Sequence, residues 1–238
     1  MADNSFRNNK STLIVIEGID SSGKATQVKL VFEELLNRNY RTMKLEFPDY
    51  KSDSSALIKM YLNGDFGKDP KLVNPYAASL FFAADRFASY KTEWEKFYKE
   101  KGVIISDRYV SSNMIYQAAK FAGKRERKKY IDWIYDLEFN KLNLPEPDIV
   151  IFLCMPPHFC TKLNNKRTNK ITGSQEKDIH ERDSIYMEKT YEVAMEVAMK
   201  YKWEVLNCIE SDSIKSIKKI NSEILKIIEN KSNGEIKF

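Results

Sequence analysis

The feature that most constrains this 238-residue chain is a regular alternation of two kinds of segment. Short β-rich apolar runs stand at residues 13–16, 43–47, 103–106, 149–154 and 203–206. Longer stretches with helical periodicity lie at about 23–38, 54–62, 75–99, 125–140, 183–201 and 213–230. The run at 149–154, IVIFLC, is continuous rather than alternating, as expected of a strand covered on both faces. Strands separated by helices build a parallel sheet with helices packed on its faces. The expected architecture is therefore α/β, a five-stranded parallel sheet flanked by helices on both faces. No repeat, low-complexity linker or composition break divides the chain, which reads as one domain over residues 1–238. The polar start at 1–11 reads as a disordered-like arm, and the tail SNGEIKF at 232–238 as frayed.

Composition narrows the partners. The chain carries 39 Lys and Arg against 34 Asp and Glu, a net charge of +5. That suits a small anionic ligand but is too little to argue for nucleic-acid binding. No apolar run approaches the ~20 residues that span a bilayer, and residues 1–11 lack the apolar core of a secretion signal. No nucleic-acid or membrane partner is expected, and the location reads as cytoplasmic. Cys154, Cys160 and Cys208 are odd in number and widely spaced with no CxxC pair, so they read as reduced thiols. With only His158 and His180, there is little material for a metal cluster or a Ser-His-Asp triad.

One motif carries specific chemistry. Residues 13–27 read LIVIEGIDSSGKATQ, a G-x-x-x-x-G-K loop that follows a strand and opens a helix. Gly18 and Gly23 let the backbone curl so that the amides of Ile19, Asp20, Ser21 and Ser22 turn toward one phosphate. The helix beginning at Lys24, Ala25 and Thr26 presents its positive dipole end to the same place. Lys24 then reaches the β- and γ-phosphates of a nucleotide such as ATP. The residue after Lys24 should carry a hydroxyl for Mg²⁺, and here it is Ala25. Thr26 points about 100° away around the helix and does not simply substitute. Either Mg²⁺ is held through water and other carboxylates, or the protein binds nucleotide without turning it over.

The strand at 103–106 supplies a second charged pair, Asp107 and Arg108, at its carboxyl end, where open α/β sheets bind ligands. A charged pair directly after a buried strand is costly without partners. As a functional pair, Asp107 would anchor Mg²⁺ and Arg108 would bridge donor and acceptor phosphates; a strand-end salt bridge is the plain alternative.

With these residues in view, the chain resembles the thymidylate kinase family from about residue 13 to 228. The resemblance rests on EGIDSSGKATQ with its inner acid Asp20, on Phe47-Pro48, and on LFFAADRF at 80–87. It continues through DRYVSSNMIYQAAK at 107–120, PEPDIVIFL at 145–153, and a basic segment ending in DIHERD at 178–183. It implies the P-loop nucleoside monophosphate kinase fold, ATP and dTMP as substrates, Mg²⁺, and a homodimer. It further implies that Phe82 stacks on the thymine ring and that Arg86 hydrogen-bonds a base carbonyl. Asn113 would meet the O4/N3–H edge, Tyr116 would exclude a ribose hydroxyl beside C2′, and Asp20 would lie near the 3′-hydroxyl. Phe47, Tyr50, Arg108 and Ser112 complete the expected acceptor site.

Two departures matter. Ser21 and Ser22 stand where some members carry a loop arginine, so the catalytic cation is expected from a lid at 164–180. Arg167 is the first candidate, with Lys166 and Lys170 next. Asp49 stands where an arginine often follows Phe-Pro, leaving Tyr50 and Arg108 to hold the acceptor phosphate. The expected catalytic set is Lys24, Arg108, Arg167 and Asp20. A kinase for another monophosphate such as dUMP, or a nucleotide-binding module without turnover, remains an alternative at this point.

Overall fold

The computed structural model describes residue 8, residues 10–164 and residues 184–238. In chain order the elements begin with β1 (Thr12–Glu17), α1 (Lys24–Asn37), β2 (Thr42–Glu46), α2 (Ala56–Asn63), α3 (Pro75–Ser89) and α4 (Glu95–Lys99). Then come β3 (Val103–Asp107), α5 (Val110–Tyr116), α6 (Lys124–Tyr135), β4 (Ile149–Cys154) and α7 (Pro157–Asn164). The chain closes with α8 (Ser184–Lys200), β5 (Glu204–Asn207), a small β6–β7 hairpin (Ile209–Glu210 and Ser213–Ile214) and α9 (Ile217–Lys231). Two stretches widen to π-helical turns, Tyr90–Trp94 after α3 and Asp136–Lys141 after α6.

The main sheet has five parallel strands in the order β2-β3-β1-β4-β5. All six residues of β1 are buried, and side-chain alternation divides them between two cores. Leu13 and Val15 pack with Tyr109, Tyr130, Val193 and other side chains from α5, α6 and α8. Ile14 and Ile16 pack with Val28, Val31 and Leu35 of α1 and Ile220, Ile224 and Ile228 of α9. A strand clothed on both faces has little use for polar residues, which is why its sequence is unbroken apolar from Leu13 to Ile16.

The order places a switch at β1, whose neighbours β3 and β4 are reached by chain running in opposite directions across the sheet. Ligand crevices of open α/β sheets lie at such points, beyond the carboxyl ends of the strands. In register, Ile16 sits opposite Asp107 and Glu46 opposite Asp107 on the other side. The ladder continues past the strand ends, with Arg108 N–H donating to the Ile16 carbonyl and Phe47 N–H to the Asp107 carbonyl. Three loops, after β1, β2 and β3, are thereby bound side by side along one edge.

Differences from the sequence expectation have local causes. The helix expected from 213 begins at Ile217, because Ser213–Ile214 pairs with Ile209–Glu210 and Ser216 caps the helix by accepting from Lys219 N–H. The tail at 232–238 does not fray. A turn at Asn233–Gly234 brings Ile236, 1% exposed, back onto the core beneath α1 and α9. Ile236 N–H donates to Ser232 Oγ and Lys237 N–H to Tyr40 Oη. Ile236, with Phe238 packed partly against the same core, docks this short polar segment. The arm at 1–11 is likewise tied down where it is described: the Asn8 side chain exchanges hydrogen bonds with the Arg41 backbone and donates to the Lys101 carbonyl. Among the described residues, no helix is long and apolar enough to cross a membrane. The three cysteines are free, and burial pushes the Cys160 and Cys208 thiols up to about 12.

Candidate active site

The loop between β1 and α1 is shaped by two glycines and one serine. A Cβ at Gly18 would collide with Ser22 Oγ and lie 3.3 Å from the Leu153 carbonyl. Ser21 and Gly23 have φ of 61° and 87°, so the backbone twice enters the left-handed region and curls. Successive amides in such a curl form a concavity for an anion, and α1 starts immediately behind it. Ile19 is fully buried, and its carbonyl accepts a 2.8 Å hydrogen bond from Lys24 Nζ. Burial first, and then the Arg108 charge, pull the Lys24 ammonium down to about 8, against the opposing pull of Asp20, Asp107 and Glu17. Ala25 and Thr26 are both exposed on α1. The buried hydroxyls of Ser21 and Ser22 have no hydrogen-bond partner among the described residues.

Glu17, which the sequence reading passed over, braces this loop against the next. Its carboxylate is fully buried and accepts from Ser111 Oγ at 2.7 Å, from Ser112 Oγ at 2.9 Å and from the Tyr109 and Gly18 amides at 3.3 Å. An acid closing an apolar strand was its visible signal, the same one that singled out Asp107. Asp107 itself is 6% exposed at the end of β3. Arg108 follows with φ of 69°, its carbonyl accepting from Ser106 Oγ. Its guanidinium forms an ion pair with Asp20, lies 5.2 Å over the Tyr116 ring and reaches Ser112 Oγ at 3.4 Å. Tyr116 Oη donates to the other Asp20 oxygen at 2.9 Å. Burial alone would lower the Arg108 pKa; Tyr116, Asp20, Glu17 and Asp107 together hold it well above its ordinary value.

Beyond this cluster lies an open cleft. The nine side chains named for the acceptor, Asp20, Phe47, Tyr50, Phe82, Arg86, Arg108, Ser112, Asn113 and Tyr116, all line it. Four more line it without having been given a site role: Pro48, Leu62, Tyr109 and Gln117. Phe82 is held edge-to-face by Tyr61 at 6.2 Å between ring centres. Phe47, joined to Pro48 by a cis peptide, packs on Tyr109 at 5.8 Å. Gln117 is 1% exposed, and its Oε1 has no partner among the described residues. Arg86 is not a free probe of the cleft. Its Nε and Nη2 donate to the Glu138 carboxylate at 2.6 and 2.5 Å, and burial of that carboxyl pushes its pKa up despite the arginine. Nothing in the stretch YDLEFNKLN marks Glu138 out, since periodicity does not reveal a buried charge.

The loop after β2 is anchored from α3. Asp85 accepts from Asp49 N–H at 3.1 Å and Ser54 Oγ at 2.6 Å, and its burial raises its pKa. The Asp49 carboxylate accepts from Lys51 N–H at 3.0 Å, so it is engaged by its own loop. Tyr50 sits between, its carbonyl accepting from Lys59. Arg167, Lys166, Lys170 and the expected lid beyond residue 164 lie outside the described residues.

No group of three or more His, Cys, Asp or Glu gathers among the described residues as a metal site. Magnesium does not require one, because it commonly takes one or two carboxylates and completes its shell with phosphate oxygens and water. The Asp107 carboxylate, near enough to Lys24 to act on its charge, fits that habit as a single carboxylate ligand beside the phosphate loop, whose Ser21 and Ser22 hydroxyls have no partner among the described residues.

A parallel sheet of this order, with a curled loop feeding a helix at its switch point, defines a phosphate-loop phosphotransferase of the nucleoside monophosphate kinase fold. A family model described as thymidylate kinase matches residues 16–224, and the chain belongs to the thymidylate kinase family. It is 30% identical to the thymidylate kinase of Mycobacterium tuberculosis over 187 residues, 78% of this chain and 85% of that one. To the thymidylate kinase of Schizosaccharomyces pombe it is 28% identical over 94% of each chain. The solved structure of thymidylate kinase from Candida albicans shares the fold, with a TM-score of 0.71 and 24% identity over 96% of each chain.

Proposed function

We propose that this chain transfers the γ-phosphoryl group of ATP to the phosphate of dTMP, giving dTDP and ADP, within a single domain. The observation that carries the reading is the continuity of the two halves of the site. The Asp20–Arg108–Tyr116 cluster joins the phosphate loop directly to a cleft that holds an aromatic face, Phe82, and an arginine wall, Arg86.

In this reading the loop amides and the α1 N-terminus hold the donor phosphates, and Lys24 leaves the Ile19 carbonyl to meet them. Arg108 lies between donor and acceptor phosphates, and Asp20 and Tyr116 fix its plane. The acceptor is already an anion, so no general base is needed, and catalysis rests on alignment and charge neutralisation. Phe82 stacks on the base, Asn113 and Arg86 meet its polar edge, and Tyr116 packs where a 2′-hydroxyl would sit. Asp107 would hold Mg²⁺, which would neutralise donor phosphate charge. The missing loop arginine is supplied by Arg167, the division of labour of the bacterial-like branch of the family. Leu80, Ala84 and Phe87 are exposed along one face of α3, an apolar stripe that supports a homodimer. Three free thiols suit a cytoplasmic setting.

A coupled ADP-release assay with ATP and Mg²⁺ tests the reading on dTMP, dUMP, dGMP, dCMP and AMP. Preference for dTMP, lost in Arg108→Ala, is the expected result, and turnover lost in Arg167→Ala supports the lid role. Preference for another monophosphate overturns the substrate, and ATP binding without turnover on any of them overturns the enzyme.

A further inference from the structure

We propose that Glu138 is a positioning residue for base selection: it holds the Arg86 guanidinium edge-on to the base end of the cleft without touching the ligand. The inference rests on the reading of that cleft as the dTMP site. Arg86 on α3 and Glu138 in the π-helical turn after α6 are 52 residues apart in sequence. Their side chains are 2% and 0% exposed, and the pair is bidentate through Nε and Nη2. Arg86 lines the cleft, and Glu138 stands behind it.

A guanidinium has five N–H donors in one plane and no acceptor. Glu138 engages the Nε–Nη2 edge, leaving the Nη1 hydrogens and the outer Nη2 hydrogen to project from the rest of the plane. A fork held in this way offers donors at a set angle. It donates to the 4-keto oxygen of thymine or uracil and turns away the 4-amino group of cytosine, which brings donors of its own. Without the carboxylate the long side chain regains its rotamers, and the angle is no longer imposed. Two features separate this from plain structural packing. A fully buried ion pair is often replaceable by apolar side chains of like volume without loss of stability, so packing alone gives little reason for it. Glu138 also lies in a π-helical turn, a wide helical geometry frequent at functional sites.

The test compares steady-state kinetics on dTMP and dCMP for the parent, for Glu138→Asp and for the double variant Arg86→Met/Glu138→Met. Glu138→Asp keeps the charge but draws the fork back by one methylene. Its KM for dTMP should rise about tenfold, with KM for ATP and kcat within about threefold, and the dTMP to dCMP ratio of kcat/KM should fall about tenfold. The neutral double variant, checked for folding by thermal melting, should lose the same preference. Loss of kcat shared equally by dTMP and dCMP, or an unchanged ratio in folded Glu138→Asp, overturns the proposal. If Glu138→Asp does not fold, a double variant that keeps the parent ratio within twofold overturns it as well. A parent active on dTMP with indifferent variants defeats only this inference, whereas a parent that ignores dTMP defeats the substrate reading and this inference with it.

Discussion

Raising the pH from 7 to 9 should strip the charge from Lys24 in ligand-free protein, since burial and Arg108 hold its ammonium at about 8 rather than 10.5. ATP phosphates placed against it favour the charged form, returning the pKa in the complex to at least its ordinary ~10.4. At pH 9 roughly a tenth of free molecules then carry the proton and nearly all bound ones do, so binding takes up about 0.9 proton. At pH 7 the uptake falls to about 0.1 proton, and between pH 8 and 9 the apparent Kd for ATP weakens about fivefold. Calorimetric titration of ATP at pH 7, 8 and 9, in paired buffers of different ionisation enthalpy, reads the proton count directly. Lys24→Arg keeps a cation that does not titrate in this range, so its uptake at pH 9 should vanish. Stability carries the opposite sign. Without ATP the unfolded chain is the better proton binder between about 8 and 10.5, so this group's penalty of ~3 kcal/mol below pH 8 is relieved as pH rises through that window. No proton uptake by the parent at pH 9, or equal uptake by Lys24→Arg, would refute the reasoning.

Three further outcomes follow from the geometry. Glu17→Gln leaves the Gly18 and Tyr109 amides competing for one oxygen. It should cost about 2–3 kcal/mol, a melting temperature lower by roughly 5–10 °C, and a change under 1 °C would contradict the bracing role. Tyr116→Ala removes both the ring proposed to pack beside the sugar and the Asp20 hydrogen bond. It should raise the relative use of UMP over dUMP by about tenfold or more in the coupled assay, and an unchanged ratio would show that the ring does not exclude the hydroxyl. Deleting residues 235–238 uncovers the seat of Ile236. Urea unfolding should report a loss of about 2–3 kcal/mol, whereas an unaltered midpoint would mean the docked tail contributes nothing.

Much of the frame is local, and the sequence by itself determined it. Strand and helix periods, the glycine-bent loop and a charged pair closing a strand are written over short windows, so the parallel sheet was legible from the alternation of segments along residues 13–230 and the phosphate loop from residues 13–27. That nine named side chains line one cleft was also legible, through motifs whose order matched a family. Partnerships were not. Glu17 meets Ser111 and Ser112 across 94 and 95 residues because β1 and β3 are in parallel register. Glu138 meets Arg86 across 52 because two helices converge behind the cleft. Asp85 holds the Asp49 loop, and Ile236 folds back onto the core, for the same kind of reason. A buried charge or an apolar tail announces only that it needs a partner. Which partner it finds is decided by the packing of distant elements, and only the tertiary structure specifies that.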